Sequence, residues 1–162
     1  MKESKSSISM VREFHETFGH GIGEKPQIPK ASVVDFRVDF IKKEANELLA
    51  GAVVGDLIEV ADGLGDIQYV LDGFFLECGL QDKKDAIMAE IHRSNMSKGC
   101  ATPEEAEQTI SMLVGALGTS ESDYEYKLVG DLFVVYRLID NKVQKSINYS
   151  PPELKAIVYG VE

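Results

Sequence analysis

The sequence predicts an all-α protein: a four-helix-bundle-like core with a small β-hairpin or meander appended near the C-terminus. Three observations carry that expectation. Between Ile8 and about Asn95, four segments show the helical apolar period and are joined by short links rich in glycine, proline and capping residues. Residues with strand character are confined to 124–147. The length of 162 residues suits one domain with a proper core. One domain is therefore expected over 1–162, with its core at 8–98, an added helix and β segment at 99–147, and a C-terminal helix at 150–160.

Ser7 is placed to cap a first helix from Ile8 to about Phe18, with Val11, Phe14 and Phe18 as its apolar stripe. The glycines and prolines between Gly19 and Pro29 make a loop. Ser32 opens a second helix, Val33 to about Val53. Gly55 breaks it, and Asp56 caps a third that reaches about Cys78 and stops at Gly79. Asp82 caps a fourth, Lys83 to about Asn95, with Ile87, Met88 and Ile91 inward. Thr102-Pro103-Glu104-Glu105 is a capping box with proline at the first helical position, opening a fifth helix to about Leu117. A polar loop, 118–123, leads into strands at 124–129 and 132–139, and Asp140-Asn141 turns into a third at 142–147. Ser150-Pro151-Pro152-Glu153 opens the last helix, to about Tyr159.

The formal charge is −10, from 27 acidic and 17 basic residues. A nucleic-acid surface needs a basic face, which argues against duplex DNA or RNA as a partner. No apolar run approaches the roughly 20 residues of a membrane span. The charged start, Met1 to Ser7, lacks the hydrophobic stretch of a secretory signal. Cys78 and Cys100 are too few and too unpatterned for a disulfide framework or a zinc site, so a cytoplasmic protein is expected.

The chemistry lies in two pairs of acids. Glu44 and Glu47 share one stripe of the second helix; Glu59, Asp62 and Asp66 follow a spacing of three to four through the otherwise apolar third. Like charges so spaced repel on a helix face. A shared hard divalent cation relieves that repulsion, since Mg²⁺ takes oxygen ligands and keeps waters and substrate phosphates in its shell. The short link Gly51 to Asp56 makes the two helices antiparallel neighbours, so their acidic stripes can face each other across a groove. The same stripes also suit the solvated faces of amphipathic helices, the usual fate of such residues.

Glu44-x-x-Glu47 followed by Glu59-x-x-Asp62 resembles the paired acid motif of the all-α nucleoside triphosphate pyrophosphohydrolases, the MazG-like group, which includes phosphoribosyl-ATP pyrophosphohydrolase and the dimeric dUTPases. Val11 to Gly19, His92 to Lys98 and Asn148 to Pro152 are similar to a phosphoribosyl-ATP-pyrophosphohydrolase-like branch common in bacteria and phages. Two departures stand out. Lys43 occupies a position that is often a third glutamate, and the segment from Gly99 to Asp140 is longer than the branch leads one to expect.

The resemblance implies hydrolysis of a nucleoside triphosphate to the monophosphate and pyrophosphate, with Mg²⁺ (or Mn²⁺) held by Glu44, Glu47, Glu59, Asp62 and Asp66. Glu44 or Glu47 would accept the proton of the attacking water. Arg93 and Lys98, with Lys145 as a weaker candidate, would offset phosphate charge. Asn95 would bond base or ribose, or cap its helix; Tyr149 would stack on a base, or pack the last helix. The resemblance also implies a homodimer or homotetramer, in keeping with the apolar breadth of the third helix. Two other readings stay open: phosphoribosyl-ATP hydrolysis, and a non-catalytic helical interaction module with a vestigial site. Gly19-x-Gly21-x-Gly23 lacks the preceding strand of a phosphate-binding loop. His15, His20 and His92 have no ligand spacing; packing suits His15 best.

Overall fold

The computed structural model describes residues 5–160. Residues 1–4, part of the charged start on which the expectation of no secretory signal rests, lie outside the described residues. The chain is mainly helical, in the order α1 (Ser7–Phe18), α2 (Ala31–Val54), α3 (Leu57–Glu77), α4 (Lys84–Met96), α5 (Pro103–Leu117), β1 (Tyr124–Val129), β2 (Leu132–Arg137), β3 (Lys142–Val143) and α6 (Leu154–Tyr159). Among the described residues, no helix is long and apolar enough to cross a membrane. Two compact units are distinguished: one runs through Lys84 and takes in Val158–Gly160, the other runs from Asp85 through Ile157.

In the N-terminal unit, α3 packs against both α1 and α2. The cap of α1 is Ser6 rather than the expected Ser7; its hydroxyl oxygen accepts from Ser9 N–H. α2 begins at Ala31, so Ser32 lies inside the helix, and Lys30 carries no side-chain cap. Its carbonyl takes the N–H of Val33 and Val34 instead. Asp56 caps α3 as expected, accepting from Ile58 and Glu59 N–H. The glycine-rich loop after α1 serves the far end of α3. Gly23 N–H bonds Leu76 C=O at 2.8 Å and Gln27 N–H bonds Cys78 C=O at 2.9 Å, meeting carbonyls that a helix end leaves open. Gly79 permits this: its φ is +65°, and a Cβ there would lie 2.2 Å from the Lys25 carbonyl oxygen. A 3-10 turn, Gln81–Lys83, precedes α4, which therefore starts one residue later than its expected Asp82 cap implies. Asp72, fully buried on α3, pairs with Lys84, which also donates to Ser7 Oγ at 3.3 Å.

In the C-terminal unit, Cys100, Ala106, Tyr124 and Val135 form the buried centre, with Ile110, Leu113, Val114, Tyr126 and Phe133 around it. Thr102 caps α5, and Glu105 reaches back to Ala101 N–H at 2.7 Å. The expected polar loop contains a 3-10 turn at Glu121–Asp123 with its own capping box. The sheet is antiparallel in the order β1-β2-β3, and Gly130 (φ +60°) supplies the turn between β1 and β2. β3 has two residues, not the six expected. Beyond it Ser146 Oγ donates to Ser97 C=O and Ser150 N–H to Ser97 Oγ, drawing 146–150 onto the end of α4 instead of along β2. The last helix begins at Leu154 rather than Ser150, because consecutive prolines hold the residues before them extended.

Candidate active site

The link Gly55-Asp56 turns α2 back along α3, and glycines set how closely the two helices run. A Cβ on Gly51 would lie 2.7 Å from Glu59 Cβ, and one on Gly63 would lie 2.8 Å from Leu48 Cβ. Further along, a Cβ on Gly73 would lie 2.6 Å from the Arg37 guanidinium. These three contacts share one antiparallel register. It sets Glu44 level with Asp66 and Glu47 level with Asp62 and Gly63, so the two acidic stripes run side by side.

Their environments differ. Glu44 sits in the seam between the helices and is 4% exposed, while Glu47, Glu59, Asp62 and Asp66 are exposed. Lys43 reaches both members of the first pair, with Nζ 2.8 Å from Glu47 and 3.3 Å from Glu44. Bonding to Lys43 holds the Glu47 carboxyl below the usual carboxylate range, and the Lys43 ammonium rises in turn. Among the described residues, no three acid, histidine or cysteine side chains are grouped so as to hold a metal ion. Lys43 changes the balance, because its ammonium already neutralises part of the repulsion within the stripe. The donor set nonetheless fits a hard divalent cation: every candidate ligand is a carboxylate oxygen, and Lys43 is exposed and able to swing away.

The glycine contacts give a paired prediction. Gly63→Ala forces α2 and α3 apart, with a cost of about 1–3 kcal/mol for overpacking. Gly65→Ala, where no atom lies within 4 Å of the new Cβ, is expected to stabilise the helix by up to about 1 kcal/mol. Urea unfolding of the two variants should move in opposite directions.

A buried polar network lies further along the same seam. Arg37 donates through Nε and Nη2 to the two oxygens of Glu77, at 2.7 and 3.0 Å, and through Nη2 to His15 Nε2 at 3.1 Å. His15 Nε2 is therefore an acceptor, and Nδ1–H donates to Gly21 C=O at 2.9 Å. Burial is the main reason the ring's pKa falls below its ordinary 6.5, with Arg37 adding to it. The unfolded ring takes up a proton near 6.5 and the folded ring resists it. This contribution to stability is thus complete above pH 6.5 and is lost as pH falls below that value towards the folded pKa. Urea midpoints of the wild type should drop between pH about 7 and about 5 by more than those of His15→Gln.

In the C-terminal unit, the other expected site residues divide into two groups. Lys145 Nζ lies 4.4 Å from the centre of the Tyr149 ring, and Ser94 Oγ donates to Tyr149 Oη at 3.3 Å. The bond to Ser94, then the charges of Lys145 and Lys98, lower the Tyr149 pKa. Lys98 donates to Asn95 Oδ1 at 2.7 Å. Arg93 is engaged differently: its Nε and Nη2 bond Glu90 at 2.8 and 2.7 Å, and Nη1 and Nη2 reach Ser150 Oγ and Pro151 C=O, both at 3.0 Å. Its fork fastens the C-terminal segment to α4, and Arg93 and Glu153 N–H together hold Glu90 down to about 2. Arg37 and Glu77 were not among the expected site residues.

The family model of phosphoribosyl-ATP pyrophosphohydrolase matches residues 11–95, just over half the chain. The chain belongs to this family. The family lies within the MazG-like all-α nucleoside triphosphate pyrophosphohydrolase superfamily, hydrolases acting on phosphoric anhydride bonds. The match takes in both acidic stripes and the Arg37 network and stops before α5 and the sheet. A protein of Acanthamoeba polyphaga mimivirus, described as uncharacterized protein L479, is 35% identical over 80 residues, covering 44% of this chain. The matched part spans 30% of that viral protein's length.

Proposed function

We propose that the chain is a Mg²⁺-dependent nucleoside triphosphate pyrophosphohydrolase that converts a ribo- or deoxyribonucleoside triphosphate to the monophosphate and pyrophosphate. One observation carries this reading: the glycine-set register that brings Glu44 and Glu47 level with Asp62 and Asp66 inside the family's own segment. Glu44, Glu47, Glu59, Asp62 and Asp66 would hold the ion, Mg²⁺ or Mn²⁺, which when bound neutralises phosphate charge and acidifies water. Glu47 would take the proton: like any carboxylate it is ionised at neutral pH, and its exposure lets the proton pass on to solvent once Lys43, which holds its pKa down and weakens it as a base, swings away. As the water oxygen bonds to phosphorus, its proton moves to a Glu47 carboxylate oxygen, and the bridging P–O bond breaks to release pyrophosphate. Glu44, buried in the seam, is suited to binding rather than proton transfer. Within the C-terminal unit, the charges of Lys98 and Lys145 and the ring of Tyr149 suit a phosphate and a base, with Asn95 beside Lys98, and Arg93 holds the segment that carries Tyr149.

The apolar side chains exposed on α2 and α3, among them Leu49, Val53, Leu57 and Leu64, support a homodimer or homotetramer. The free thiols of Cys78 and Cys100 suit the cytoplasm. The family's name favours phosphoribosyl-ATP as a second substrate. Purified protein tested for pyrophosphate release from a nucleotide panel that includes phosphoribosyl-ATP, with Mg²⁺, Mn²⁺ or EDTA, separates these readings. Turnover that EDTA abolishes is expected. A protein that neither turns over any nucleotide nor binds Mg²⁺ would instead be a helical interaction module with a vestigial site.

A further inference from the structure

Beyond the family match, the sheet ends in an edge that is open among the described residues: there β1 bonds β2 alone, in the order β1-β2-β3. On β2, Phe133 exchanges backbone bonds with Cys100 and Val135 C=O accepts from Gln144, so Leu132, Val134 and Tyr136 are the residues that turn to β1. They pair with Val129, Lys127 and Glu125. The N–H and C=O of Tyr126 and Leu128 therefore point to the open side, whereas Tyr124 N–H already bonds Glu121 C=O. Tyr124, Tyr126 and Leu128 share the α5-facing side of the strand, yet Leu128 is 61% exposed. A groove of about 540 Å³, lined by Glu107, Ile110, Glu121, Tyr124 and Tyr126, runs between α5 and β1. On the opposite side of β1, Glu125 and Lys127 alternate in sign.

We infer that this edge pairs antiparallel with the same edge of a second copy of the chain, about a two-fold axis at Tyr126. In that register the two Tyr126 residues exchange N–H···O bonds. Glu125 of each chain stands opposite Lys127 of the other at a non-hydrogen-bonded position, where side chains come closest. Leu128 of each chain lies against Tyr124 of the other, over the groove. Sliding one strand by two residues either way sets Glu125 against Glu125 or Lys127 against Lys127, which repel. Charge thus selects the register that also covers Leu128 and the open backbone groups, and an edge left open would invite promiscuous pairing.

Charge-reversed chains test this by analytical ultracentrifugation of the full chain. Glu125→Lys and Lys127→Glu each place like charges across the axis, and each is expected to show half the mass of the wild type. An equal mixture of the two variants recovers the wild-type mass, because each supplies the charge the other lacks; the double variant E125K/K127E recovers it alone. Equal masses for the wild type and both single variants would overturn the inference. So would recovery in the double variant without recovery in the mixture, which would reduce Glu125 and Lys127 to a pair within one chain.

Discussion

Arg37→Met is expected to lower stability by about 3–5 kcal/mol, the range for a buried ion pair that loses one partner. The pair's side chains are only 8% and 10% exposed, so Glu77 would be left as a charge with little access to water. His15 Nε2 would lose its donor in the same step. The reason is the stranded carboxylate rather than the lost attraction, so removing both charges should cost far less. Arg37→Met combined with Glu77→Leu should recover most of the loss, leaving about 1–3 kcal/mol for the unpaired imidazole nitrogen. Urea unfolding of the two single variants and the double completes the cycle. A loss below about 1 kcal/mol for Arg37→Met would mean that water reaches Glu77.

This network also marks where sequence reasoning stops. Periodicity located the first four α-helices and cap and proline signals the last two, and the caps Asp56 and Thr102 were legible because an acid or hydroxyl side chain meets orphan N–H groups in a fixed local geometry. Ser7 and Ser32 misled because serine only permits a cap; Ser6 stood one residue away, and the Lys30 carbonyl met the N–H groups of α2 without a side chain. β3 was overread because the residues after Val143 have strand composition but bond to Ser97, a partner distant in sequence. Arg37, Glu77 and Asp72 were invisible for the same reason: a charge on the buried face is allowed only by a partner that the local pattern does not show. The acidic stripes were legible from spacing alone. Their common level was not, because it depends on Gly51 and Gly63 packing against Glu59 and Leu48, contacts between helices that no local pattern shows.

Glu47→Gln and Asp62→Asn are each expected to reduce nucleotide hydrolysis by at least about 10²-fold, the lower end of what positioned proton transfer contributes. Both substitutions remove charge and leave volume almost unchanged. Glu47 and Asp62 are exposed on the rim of the seam, so neither change opens a cavity or strands a buried group. Glu47→Gln also releases Lys43 from one of its two carboxylates, an exposed pair whose loss scarcely alters folding. Unchanged urea midpoints with lost turnover would therefore assign the effect to chemistry. The two variants then separate roles. If Glu47 takes the proton, Glu47→Gln lowers kcat at every Mg²⁺ concentration, whereas Asp62→Asn, as a ligand, shifts the Mg²⁺ dependence to higher concentration and regains turnover there. Wild-type rates in both variants would remove the carboxylates of α2 and α3 from the reaction. Glu44→Gln is the poorer probe, since Glu44 is buried between the helices and its change touches packing and chemistry together.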